Sequence, residues 1–155
     1  MHRSATLCSC GTYRYALRRA WDAARPPVLF VMLNPSTADA TADDPTVRRC
    51  VRFARDWGHG GLVVANLFAF RATAPRALRA AADPVGPEND RWLGALVREA
   101  GLVVAAWGDG GGYRGRDAEV LPFLGAVHCL GVTRRGAPRH PLYVRAEVAP
   151  SPLAR

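Results

Sequence analysis

Four short apolar runs, residues 28–33, 62–65, 102–106 and 127–130, alternate with stretches whose apolar positions recur at helical spacing. An unbroken apolar run of strand length reads as a strand buried on both faces, because a strand with one wet face would alternate. Between the first two runs, residues 45–57 carry Val47, Val51 and Ala54 on one side with Phe53 alongside, which predicts a helix. Asp44 is placed to cap that helix, and Pro45 suits its first position. A second helix is predicted over 88–100, with Trp92, Leu93, Leu96 and Val97 on its apolar side. Shorter helices are expected over 75–82 and over 115–124, the latter broken or started near Pro122. Ahead of the first run, residues 12–17 read as a short extended or edge segment. Residues 18–22 read as a short turn of helix, stopped by Pro26-Pro27. The tail after Ala146 reads as loosely attached. Nothing in the pattern divides the chain, so one domain over residues 1–155 is expected.

Strands and helices thus alternate four times, which predicts an α/β fold with three layers, α/β/α, around a four-stranded parallel sheet. Open sheets of this kind bind ligands beyond the carboxyl ends of their strands. The segments that follow the four strands are therefore the place to look for chemistry. After the first come Asn34, Pro35, Ser36 and Thr37; after the second, Asn66, Phe68, Phe70, Arg71 and Thr73. Trp107 and a glycine-rich stretch follow the third, and Arg139, His140 and Tyr143 follow the fourth.

Charge adds a weak pointer to partners. The 21 basic residues are all arginine and outnumber the 13 acidic ones, for a net charge of +8. Guanidinium groups grip phosphates in bidentate fashion, so a basic, arginine-rich surface is compatible with nucleic acid. No apolar run approaches membrane-spanning length, and residues 1–10 lack the apolar stretch of a secretory signal, so a cytoplasmic location is expected and no membrane or obligate protein partner. Cys8-Ser9-Cys10 lacks the two-residue spacing of a zinc knuckle, while Cys50 and Cys129 fall where small buried thiols are common, so no metal and no cofactor are expected. The run 108–112 has neither the ending of a P-loop nor the order of a dinucleotide site and reads as a flexible connection, with Arg114 and Arg116 nearby.

Residues 33–37, 44–50, 66–73, 106–108 and 138–143 together resemble the bacterial and phage family called domain of unknown function 1643, over about residues 10–145. That family name implies no activity. A more distant resemblance does, to the uracil-DNA glycosylase superfamily. Met32-Leu33-Asn34-Pro35-Ser36 is similar to that superfamily's water-positioning motif at the end of its first strand. Ala65-Asn66 is similar to the strand end whose Asn reads the base edge. Ala106-Trp107-Gly108 is similar to its later Leu-Trp-Gly, and His140-Pro141-Leu142 is a shortened likeness of its His-Pro-Ser-Pro-Leu.

The resemblance implies a uracil-DNA glycosylase-like fold and hydrolysis of the N-glycosidic bond of a flipped, deaminated or modified base, with DNA as partner. Asn34 would hold the water and His140 would hydrogen-bond the departing base, with Pro35 and Ser36 beside them. Asn66 would read the base edge, Phe68 or Phe70 would stack on it, and Trp107 would line the pocket. Leu142 or Tyr143 would fill the gap left in the duplex. Arg48, Arg49, Arg71 and Arg139 would meet phosphates. Asn34 stands where the fastest branch of the superfamily carries Asp, and an amide is no general base, so the carboxylate would come from Asp43 or Asp44. Two other readings follow from the same residues: a non-catalytic module that senses modified DNA, and an enzyme acting on a free nucleotide or nucleoside.

Overall fold

The computed structural model describes residues 1–154. Its centre is the expected set of four parallel strands: β3 (Pro27–Met32), β4 (Gly61–Asn66), β5 (Leu102–Ala105) and β6 (Val127–Cys129). They lie in the order β4-β3-β5-β6, with Val28 opposite both Leu62 and Leu102 and Met32 opposite Asn66. The sheet is larger than the four strands predicted. A hairpin of β1 (His2–Leu7) and β2 (Arg14–Ala20) adds two antiparallel strands beside β4, and β7 (Ser151–Pro152) pairs antiparallel with β6, making seven in a mixed sheet. The segment after Ala146 therefore meets the sheet at its far edge, and Leu153 packs against the core.

Of the turn of helix expected over residues 18–22, Arg18–Ala20 are instead the end of β2. Arg19 of that strand is fully buried, its charge met by Asp43 at 2.9 Å and by the Asp39 carbonyl at 2.6 Å. A buried, fully bonded guanidinium fills a strand position that composition alone assigns to water.

The buried strands still alternate, one core for each face. Phe30, Met32 and Val64 pack with Val47, Phe53 and Ala54 of α1 (Pro45–Asp56). Leu29, Val31 and Ala65 face the other side, with Leu78 of α2 (Pro75–Ala80), Leu93 and Leu96 of α3 (Asn89–Glu99) and Val120 of α4 (Arg116–Val120). Pro45 opens α1 and Asp44 caps it, as the sequence predicts. The helix expected over 115–124 is shorter: α4 ends at Val120 and a tight 3-10 turn, Leu121–Phe123, carries Pro122. The chain leaving β3 runs to the α1 face, whereas the chains leaving its neighbours β4 and β5 run to the opposite face. Such a switch opens a crevice at the carboxyl ends of adjacent strands.

A polar cavity at the strand ends

That crevice is a cavity of about 380 Å³, and Asn34, Asn66 and His140 all line it. Residues as far apart in the chain as Asn34 and His140 are thus brought together by the parallel strand order. Backbone hydrogen bonds tie the exits to one another: Leu67 N–H donates to Met32 O at 2.8 Å, Phe68 N–H to Leu33 O at 3.0 Å, and Gly108 N–H to Pro138 O at 2.8 Å.

Asn34 is held by its own amide. Nδ2 donates to the Ala72 carbonyl at 2.8 Å and the Pro35 carbonyl at 3.1 Å, so Oδ1 is the atom left for a water or ligand. Pro35 and Ser36 line the cavity beside it, and Ser36 Oγ also accepts from Thr37 N–H at 2.6 Å. Asn66 is the last residue of β4 and 2% exposed. Its backbone is fixed by Asn89, whose Nδ2 donates to the Asn66 carbonyl at 3.0 Å and the Leu67 carbonyl at 3.1 Å. Its side-chain Nδ2, by contrast, is buried with no partner among the described residues. An orphaned buried donor costs about 1–3 kcal/mol, a penalty that a bound acceptor removes.

His140 Nδ1 accepts from Leu142 N–H at 3.2 Å, which places the ring proton on Nε2. Burial lowers its pKa, only partly opposed by the Asp44 carboxylate, so at neutral pH the imidazole is a neutral donor. Asp44 lines the same cavity while its Oδ1 caps α1 by accepting from Val47 N–H at 2.8 Å. Its Oδ2 has no partner among the described residues. Asp43, the other carboxylate considered, is consumed by Arg19 and lies 3.8 Å from Arg3.

Trp107 is 3% exposed and separates this cavity from a second of about 440 Å³, which Arg139, His140 and Tyr143 also line. The run 108–112, expected to be a flexible connection, enters a 3-10 turn over Asp109–Gly115 in which Gly111 packs against that ring. A Cβ on Gly111 would lie 2.1 Å from Trp107 Cδ1. Tyr143 reaches both cavities yet is 78% exposed, and its exposed neighbour Leu142 lines neither.

Several expected contacts are placed elsewhere. Phe68 is fully buried in the core beneath the β4 exit, 5.7 Å from the Tyr113 ring, and Phe70 packs edge-on against Tyr13; neither lines the cavity. Their position after β4 looked like a stacking platform, but the strand exit turns their rings into the layer below. Arg49 joins α1 to the Pro141 and Val144 carbonyls and lies over Phe53, so its guanidinium braces the fold and is not free for phosphate. Arg71 donates to the Gly11 carbonyl at 3.3 Å and Arg139 to the Val132 carbonyl at 3.0 Å. Arg48 is exposed on α1, with one long bond of 3.4 Å to the Asp43 carbonyl. Arg116 is buried, bound to the Leu67 carbonyl, Asp90 and Glu119, with nothing left for a phosphate.

The sequence reading passed over Arg14. This first residue of β2 lines the cavity, is 3% exposed, and donates from Nη1 to the Ala38 carbonyl at 2.9 Å. Its Nε is buried with no partner among the described residues. Burial pushes its guanidinium down to about 10, with Asp44 opposing, so it is still charged at neutral pH. Arg14 begins an antiparallel strand rather than following the carboxyl end of a parallel one, so strand-end reasoning does not reach it.

Among the described residues, no group of three or more His, Cys, Asp and Glu is placed to hold a metal ion, and no helix is long and apolar enough to cross a membrane. Fold and cavity together define an α/β domain with a polar cavity at the carboxyl ends of its parallel strands. The chain belongs to the family described as "Protein of unknown function (DUF1643)", whose model matches residues 14–142, a span that begins at Arg14 and includes His140. No curated protein and no solved structure matches the chain.

Proposed function

We propose that the protein is a DNA glycosylase-like hydrolase: it takes an extruded, deaminated or modified base into the strand-end cavity and cleaves its N-glycosidic bond. The observation that carries this reading is the meeting of Asn34, Asn66 and His140 in one cavity of about 380 Å³, in the order and at the strand ends where the glycosylase superfamily places its water-holding, base-reading and base-donating residues. The volume falls within the roughly 300–1,000 Å³ of small-ligand sites.

In this reading Asn66 Nδ2 donates to an exocyclic carbonyl oxygen of the base. Asn34 Oδ1 accepts a hydrogen bond from the attacking water, and Asp44 takes the water's proton as its oxygen bonds to C1′ of the sugar. The C1′–N bond breaks, its electron pair leaves with the base, and the Nε2 proton of neutral His140 stabilises the negative charge as it develops. DNA is drawn by the excess of arginine, with exposed Arg48 the least committed of the candidate phosphate contacts. A glycosylase-like fold is part of the same proposal.

The test is abasic-site formation by the purified chain on single- and double-stranded DNA carrying deaminated or modified bases. Asn34→Ala and His140→Ala should each lower the rate about a hundredfold or more while the chain remains folded, beyond any loss that their missing hydrogen bonds cause in melting temperature. A broad lesion panel left intact by the unaltered protein would reject cleavage. One feature favours a second reading, a module that senses modified DNA without cutting it: Asn34 spends its N–H groups on backbone carbonyls and is no base. That reading predicts lesion-dependent, salt-sensitive binding with no abasic product.

A further inference from the structure

Two of the residues that line the cavity carry side-chain donors unsatisfied among the described residues. Arg14 Nε and Asn66 Nδ2 are both buried and unpartnered among the described residues, and both side chains line the same space. Arg19 holds Asp43, and Arg116 holds Asp90 and Glu119, whereas Arg14 has no carboxylate in ion-pair contact among the described residues. The charges felt at its guanidinium are attraction from Asp44 and Asp39 and repulsion from Arg71 and Arg19. Asp39 is turned to its own loop, accepting from Thr41 N–H at 2.9 Å and Ala42 N–H at 2.8 Å. A buried cation beside an unfilled amide N–H calls for acceptor atoms, at least one of them carrying negative charge.

We infer that Arg14 and Asn66 together receive the oxygen-bearing edge of the ligand, and that Arg14 makes the cavity select planar oxo-heterocycles with an acidic ring N–H over amino-substituted ones. The inference rests on the nucleobase reading above. When such a ring loses its proton, or leaves a sugar with the bonding pair, the negative charge spreads onto the exocyclic oxygen. A guanidinium N–H donates to that oxygen and neutralises it. An exocyclic amino group at the same place would set N–H against N–H. Selection therefore follows the acidity of the base as well as its shape.

Calorimetric titration of the full chain with uracil, 5-fluorouracil and cytosine tests this, in the unaltered protein and in Arg14→Gln and Arg14→Lys. The unaltered chain should bind uracil about tenfold or more tighter than cytosine, the discrimination one well-placed bidentate contact supplies. The more acidic 5-fluorouracil should bind tighter still, with the gap widening at mildly alkaline pH. His140 stays neutral and Arg14 stays charged under those conditions, so the change reports the ligand's ionisation. Arg14→Gln should erase the gap between 5-fluorouracil and uracil while Asn66 retains some uracil binding, and Arg14→Lys should keep part of the gap. A gap that survives in Arg14→Gln overturns the inference and leaves the nucleobase reading standing. Equal affinity for the three bases in the unaltered chain also overturns it, and needs no variant to fold. Binding of none of them removes the nucleobase reading itself. Inorganic phosphate that binds through Arg14 and displaces uracil would assign these donors to a phosphate instead, against the inference.

Discussion

Arg19 and Arg14 lie on the same strand, 0% and 3% exposed, yet they are opposites. Arg19 spends its fork completely: Nε on Asp43 at 2.9 Å, Nη1 on the Arg18 carbonyl at 2.8 Å and Nη2 on the Asp39 carbonyl at 2.6 Å. Arg14, which lines the cavity, makes one bond, to Ala38, and leaves its buried Nε unpartnered among the described residues. Burial of a charge is tolerated where every donor is used, as at Arg19 and at Arg116, and an unsaturated fork marks a position kept for something else. The contrast separates an arginine that holds the fold from one that waits for a ligand.

The largest effect should come from breaking the saturated site. Arg19→Met strands Asp43 and three acceptors, and should cost about 3–5 kcal/mol in urea unfolding. Arg14→Met should change stability by no more than about 1 kcal/mol, since it removes one hydrogen bond and relieves a poorly paired buried charge. Equal losses at the two positions would erase the distinction. Arg116→Met should fall between, at about 1–3 kcal/mol, because it orphans the buried Leu67 carbonyl while Asp90 and Glu119, 52% and 58% exposed, return to water.

Asp44 sharpens the same comparison inside the cavity, since it has a structural and a proposed chemical duty. Asp44→Ala should cost about 1 kcal/mol by removing the cap of α1, whereas Asp44→Asn keeps the cap and should unfold like the parent. Both should lose base excision. A fully active Asp44→Asn would free Asp44 from any role with water.

The smallest effect is the pH dependence of His140. Its pKa is lowered by burial, so the unfolded chain binds its proton first as pH falls. The imidazole's share of stability is intact above the ordinary histidine value of about 6.5 and declines below it, down to the lower folded value. His140→Gln should flatten that part of the stability-pH curve, and an unchanged slope would place the imidazole in water.

Much of this architecture was legible because its signals are local. Unbroken runs such as Val28–Met32 have one reading at strand length, and strand-helix alternation then fixes where Asn34, Asn66 and His140 end up. The edges of the sheet were legible only in part: residues 12–17 read as extended, and β2 spans Arg14–Ala20. β1 and β2 carry arginines at positions whose burial depends on distant partners, Asp43 and the Asp39 carbonyl for Arg19, and periodicity has no access to such pairings. Phe68 and Phe70 show the opposite error: their neighbourhood in the chain was right and their direction was not, because the backbone bond from Phe68 N–H to Leu33 O sets where the exit turns.

The central claim is that Asn34, Asn66 and His140 form one pocket for a planar base. A crystal structure of the chain soaked with uracil tests it most directly. The account predicts a flat ring in the cavity, with an exocyclic carbonyl oxygen within hydrogen-bond reach of Asn66 Nδ2 and another acceptor facing His140 Nε2. A ring bound elsewhere, or an empty cavity at saturating uracil, would contradict it.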